Sequence, residues 1–155
     1  MRAMLRRTLL AAIGTLVASA CAGPATPAVA ARPADAMAAQ PSQGRWPSFY
    51  RTAPAEVQEA YAYAAAHQET LRFIPCYCGC GASGHRSNAD CYVKESRGDG
   101  WVILDPHGTG CGTCVGITRD VIALERSGTP LSRIRAAIDE KWSRTGPGTP
   151  TPLPG

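Results

Sequence analysis

Apolar side chains recur at helical spacing in three stretches of the chain. Val57, Tyr61, Ala64 and Leu71 share one face of a segment opened by Thr52 as N-cap and Pro54 in a first turn, which predicts a helix over residues 53 to 68. Ile117, Val121, Ile122 and Leu124 predict a second helix, starting at or just after Cys114 and stopping at Gly128. Leu131, Ile134, Ile138 and Trp142 follow Thr129-Pro130 at steps of three, four and four and predict a third. Only a tight turn separates the last two, so they are expected to form a helical hairpin.

Between the first and second helices, from Ile74 to Gly110, the period is lost and Gly, Asp, Ser and Cys accumulate. Two β-like runs, Cys91-Tyr92-Val93 and Trp101-Val102-Ile103-Leu104, flank the turn-forming Ser96-Arg97-Gly98-Asp99-Gly100, a pattern that permits a small β-hairpin. The expected fold is mainly α: three short helices, the last two a helical hairpin, with a cysteine-rich irregular segment and the small β-hairpin. Its core holds about a dozen large apolar side chains, and domains of that kind usually persist only with a metal or disulfides.

A different apolar pattern opens the chain. Leu9 to Ala18 form a run of ten behind Arg2, Arg6 and Arg7 and ahead of Ser19-Ala20-Cys21, the layout of a secretory signal peptide over residues 1 to 20. The run is shorter than the roughly 18 apolar residues of a membrane span. Ala18-Ser19-Ala20-Cys21 resembles a lipobox, whose cysteine becomes a lipidated N-terminus, while Ala18-x-Ala20 also suits ordinary signal peptidase. The expectation is an exported protein anchored by Cys21 to the outer face of the cell membrane, with a free secreted form as the alternative. Residues 21 to 44 read as a flexible spacer of Ala, Pro, Gly, Ser and Gln, and residues 145 to 155 as a Pro-rich disordered tail. The folded domain is then expected over residues 45 to 144.

This organisation changes what composition means. The 155 residues carry a formal charge of +4, but without residues 1 to 20 thirteen Lys and Arg face twelve Asp and Glu. A nucleic-acid partner loses its electrostatic basis, and no Lys/Arg stripe interleaved with aromatics replaces it. Eight of the 13 prolines lie in the two presumed tails.

The chemistry lies in the cysteines. Cys76, Cys78, Cys80, Cys91, Cys111 and Cys114 fall within 39 residues. Three structural disulfides are one reading, normal for an exported domain. Residues two apart rarely meet disulfide geometry, so each of the first three would have to pair with one of the last three, a crowded arrangement. Thiolate coordination uses the same spacing more naturally. Gly79 and Gly81 let a turn aim several sulfurs at one centre, and Cys111-x-x-Cys114 at a helix start adds a chelating pair of lowered pKa. Soft thiolates select Cu(I) and Zn(II). Met37 is the one methionine after the signal segment, which excludes a methionine-rich copper site.

His85 and His107 lie near the sulfurs in sequence and are candidate ligands. His67, closing the first helix, suits a dipole partner better, and Asp90 and Asp105 suit turns or support of a ligand. A third reading is thiol–disulfide exchange through Cys111-Gly112-Thr113-Cys114, although no strand-helix-strand frame precedes it. Covalent haem is excluded because Val115, not His, follows Cys114. No Ser-His-Asp set, carboxylate pair or phosphate loop stands out, so a catalytic role is not expected unless the Cys-x-x-Cys is redox-active.

Pro75-Cys76-Tyr77-Cys78-Gly79-Cys80 resembles, letter for letter, the hexapeptide of the bacterial PCYCGC-motif lipoproteins. The likeness continues through Gly84-His85, Asp90-Cys91, His107-Gly108 and Cys111-x-x-Cys114 to the closing helices, roughly residues 45 to 142. It implies an exported, anchored, cysteine-rich domain; the metal, Cu(I) first and Zn(II) second, is inferred from the thiolates. The leading expectation is a membrane-tethered buffer, carrier or sensor of a soft metal, with no nucleic-acid partner. A disulfide-stapled partner-binding module and an oxidoreductase are the alternatives.

Overall fold

The computed structural model describes residues 36–155, so the signal-peptide expectation and Cys21 lie outside the described residues. Among the described residues five α-helices are delimited: α1 (Ser48–Thr52), α2 (Ala55–Ala66), α3 (Gln68–Leu71), α4 (Gly112–Arg126) and α5 (Leu131–Trp142). Three strands, β1 (Ala38–Ala39), β2 (Val93–Ser96) and β3 (Val102–Leu104), make one antiparallel sheet in the order β1-β3-β2. No helix among the described residues is long and apolar enough to cross a membrane.

The expected apolar faces form the core. Val57, Ala60, Tyr61 and Ala64 bury one side of α2, Ile117, Val121 and Ile122 one side of α4, and Ile134 and Ile138 one side of α5. Helix α4 packs against both α2 and α5, and Gly128 turns the chain between α4 and α5 at φ +77°. Tyr61 links this helical layer to the irregular segment: its ring meets Tyr92 edge-on at 4.9 Å and its hydroxyl donates to the Asp105 carbonyl at 2.6 Å.

The element boundaries correct several expectations. Thr52 closes α1 by bonding back to the Ser48 carbonyl, and Pro54, extended at ψ 153°, is the N-cap of α2. Helix α2 stops at His67, which leaves Leu71, fully buried, on the separate turn α3. Helix α4 starts at Gly112 with Cys111 as N-cap, two residues before the expected start, so Cys114 lies inside its first turn. No apolar residue marks positions 111 to 113, and periodicity alone could not see that turn. Cys91 and Tyr92 belong to a 3-10 turn, Ala89–Cys91 and its cap, and the strand begins only at Val93. The hairpin forms with a bulge between Val93 and Glu95 and gains β1 as a third strand.

Strand β1 lies in the presumed spacer. Ala39 is fully buried, the Leu104 amide donates to the Met37 carbonyl, and Pro41–Gln43 make a 3-10 turn closed by Gly44 at φ +64°. Small side chains fit beneath the sheet edge there, and the free edge of β3 supplies backbone partners that composition does not reveal. The expected disordered tail also docks. Residues 145–155 form neither helix nor strand, but the Thr149 amide donates to the Cys76 carbonyl at 3.0 Å and the Cys76 amide donates to Thr149 Oγ1 at 2.9 Å. Arg135 Nη1 donates to the carbonyls of Phe73 and Pro152, tying the tail to the segment that leads into the cysteines.

One position is sensitive to a single methyl group. A Cβ on Gly108 would sit 2.7 Å from Cε1 of Tyr92, whose ring is fully buried. Gly108→Ala is expected to cost about 1–3 kcal/mol by overpacking. A denaturant midpoint equal to wild type would show that the ring yields freely.

Candidate metal centre

Four chain segments deliver the candidate ligands. The loop after Pro75 carries Cys76, Cys78 and Cys80, and its Gly79 adopts φ +83°, a left-handed conformation that turns the chain between the last two sulfurs. The 3-10 turn Ala89–Cys91 supplies Cys91, and the loop before it His85. Pro106–Thr109 form another 3-10 turn, capped by the Asp105 carboxylate accepting from the His107 amide at 2.8 Å. That turn presents His107, and the first turn of α4 presents Cys111 and Cys114.

All six sulfurs and both histidines converge. Cys76 Sγ lies 3.2 Å from Cys114 Sγ and 3.4 Å from Cys78 Sγ, Cys78 and Cys114 are 3.6 Å apart, and Cys80 and Cys91 3.7 Å apart. His107 Nε2 stands 3.5 Å from Cys78 Sγ, and His85 Nδ1 3.5 Å from Cys91 Sγ. Two sets of four donors have every ligand atom within 4.8 Å of the others: Cys78, His107, Cys111 and Cys114; and Cys80, His85, Cys91 and His107. A tetrahedral ion with bonds of about 2.3 Å to sulfur and 2.0–2.1 Å to nitrogen holds sulfurs about 3.8 Å apart and a sulfur about 3.6 Å from a nitrogen. The observed separations approach those values. None of the six cysteines is in a disulfide.

The electrostatics of the ion-free cluster follow from crowding. The Cys76 thiol is driven well below its ordinary range because Cys114 and then Cys91 donate to it. Cys114 is raised by its hydrogen bonds to Cys76 and then Cys91, and by burial. Cys80 is raised mainly by burial, and Cys91, although favoured as an anion by Cys114, is raised overall by Cys76 and burial. Crowding thus favours the anion at Cys76 and the protonated thiol at Cys80, Cys91 and Cys114. A metal cation would be the natural replacement for those protons.

A buried polar network holds the cluster's surroundings. The Thr118 hydroxyl lies 2.6 Å from Asn88 Oδ1, 2.8 Å from the Tyr92 hydroxyl and 3.1 Å from the Cys114 carbonyl, and the Asn88 amide donates to the Ile74 carbonyl at 2.7 Å. Asn88 and Thr118 are fully buried, so the network joins α4, the Cys91 turn and the entry to the cysteine loop. Sequence reading missed these residues; the one available signal was Thr118 standing four positions after Cys114 on the inner face of α4.

The remaining candidates separate clearly. Asp105 Oδ2 lies 3.9 Å from His85 Nε2, on the side of the ring away from Cys91, where a carboxylate orients a ligating imidazole. Asp90 turns away to accept from the Arg86 amide at 2.7 Å and pair with its guanidinium. His67 caps α2, stacks on Tyr63 at 4.2 Å and lies 4.0 Å from Glu125, apart from the sulfurs.

A family model described as a protein of unknown function with PCYCGC motif matches residues 10–155. The chain belongs to that family. No curated protein and no solved structure matches. The PCYCGC motif itself is the loop that brings Cys76, Cys78 and Cys80 to the cluster, and the family match extends beyond the resemblance seen from residues 45 to 142 into the docked tail. Clustered cysteines and histidines that can hold a metal ion are therefore built around the feature that names the PCYCGC family.

Proposed function

We propose that this protein is an extracytoplasmic metal-binding lipoprotein, held to the outer face of the membrane through Cys21, that buffers or carries a soft metal ion. The observation carrying the reading is the convergence of six unpaired cysteines and two histidines at separations near those of tetrahedral coordination. Four-donor sets that mix thiolate with imidazole favour Zn(II), ahead of the Cu(I) that the thiolates alone would put first. A binding role is supported over disulfide exchange because Cys114 has Cys76 and Cys78 as its close sulfur partners, so the Cys-x-x-Cys pair is part of a larger set.

Elemental analysis of the full chain, purified anaerobically and dialysed against a weak chelator, is expected to find Zn or Cu bound. Metal at background would sink the proposal. Counting thiols on denatured, unreduced protein supplies the second check: six titratable thiols in the core cluster are expected, whereas none would show a disulfide-stapled module instead.

A further inference from the structure

We propose that the cluster is a two-ion centre, built from two separate triads of donors that share Cys76 and His107. The inference rests on the metal-binding reading above and adds its nuclearity. One tetrahedral ion takes four donors, and eight converge here. Cys78, Cys111 and Cys114 form the first triad, on the PCYCGC loop and the opening of α4. Cys80, His85 and Cys91 form the second, at the end of that loop, in the segment after it and in the 3-10 turn Ala89–Cys91.

The donors shared between the triads are identified by position. His107 belongs to both four-donor sets. Cys76 lies 3.2 Å from Cys114 and 3.4 Å from Cys78 on one side, and falls within 4.8 Å of Cys80 and Cys91 on the other. Each triad thus has a fourth ligand available at the same time, one taking the imidazole and the other the thiolate. An ion on the first triad alone would leave Cys80, Cys91 and His85 as a second set with the separations a metal requires, 3.7 and 3.5 Å, and with both sulfurs buried.

The two positions differ in access. Cys78 and Cys111 are half-buried, whereas Cys80 and Cys91 are buried and the His85 side chain is 12% exposed. The first triad therefore exchanges its ion with solvent faster, and the second retains its ion longer.

The test uses the full chain in reductant with Zn(II) alone as the probe. Two ions per chain are expected, leaving in two kinetic phases when a chromophoric chelator is added. Cys111→Ser should hold one ion and lose the fast phase; serine is a favoured N-cap, so α4 keeps its start. His85→Ala, in a segment outside any helix or strand, should hold one ion and lose the slow phase. Titrating the unsubstituted protein with Co(II), and following the sulfur-to-metal charge-transfer band, should reach its end point at two equivalents. One equivalent in that titration, or both substitutions removing the same phase, would overturn the two-ion centre while leaving metal binding intact. No bound ion at all would remove the metal reading and this inference with it.

Discussion

Chelation should lower the thermal midpoint of the metal-loaded protein by about 15 °C, read by circular dichroism at matched protein concentration. A ligand present at 1,000 times its dissociation constant stabilises the folded state by about 4 kcal/mol. A domain of this size shifts by about 4 °C for each kcal/mol, and the product gives the expected change. The structure provides the route for that coupling. The donors stand on the cysteine loop, two 3-10 turns and the start of α4, so an ion cross-links segments separated by as many as 38 residues of chain. Without an ion, the irregular region from Pro75 to Gly110 is held by the Asn88–Thr118–Tyr92 network, the short sheet and the docked tail. A midpoint unmoved by a chelator that has been shown to remove the metal would mean that the protein core alone sets stability.

Much of this architecture was legible because it is periodic or rare in composition. The three long helices carry their apolar faces on the 3.6-residue period, and six cysteines in 39 residues cannot be mistaken for ordinary core composition. The hexapeptide alone pointed to the family. Helices α1 and α3, five and four residues long, and the two-residue β1 are too short to express any period. Asn88, Thr118 and Tyr92 are common residue types that acquire a role only through burial beside one another, which no local pattern encodes. The same holds for the C-terminal segment. Prolines dictate an extended backbone with few donors, and that is equally true of a free tail and of a strap laid along a groove.

That strap supplies the other large effect. Deleting residues 145–155 should destabilise the domain by about 2–4 kcal/mol and speed release of bound metal to a chelator. The magnitude follows from the hydrogen bonds removed, each worth about 0.5–1.5 kcal/mol net. Thr149 and Cys76 exchange two, one through each backbone amide, and Thr151 Oγ1 donates a third to the Arg86 carbonyl. Both anchors touch the cluster's own chain: Cys76 is the sulfur shared between the triads, and Arg86 directly follows His85. Gly148 lets the strap lie against Tyr77, where a Cβ would fall 2.8 Å from the ring, and the Tyr77 hydroxyl donates to Asp139 of α5 at 2.7 Å. The strap and α5 therefore hold the cysteine loop from two sides. A milder variant separates the effects. Thr149→Val keeps the backbone bond to the Cys76 carbonyl and removes the hydroxyl that accepts from the Cys76 amide, leaving that amide buried without a partner. It should cost about 1–3 kcal/mol and accelerate metal release with helix content unchanged. Wild-type stability and release kinetics in both variants would show that the strap merely lies on the surface.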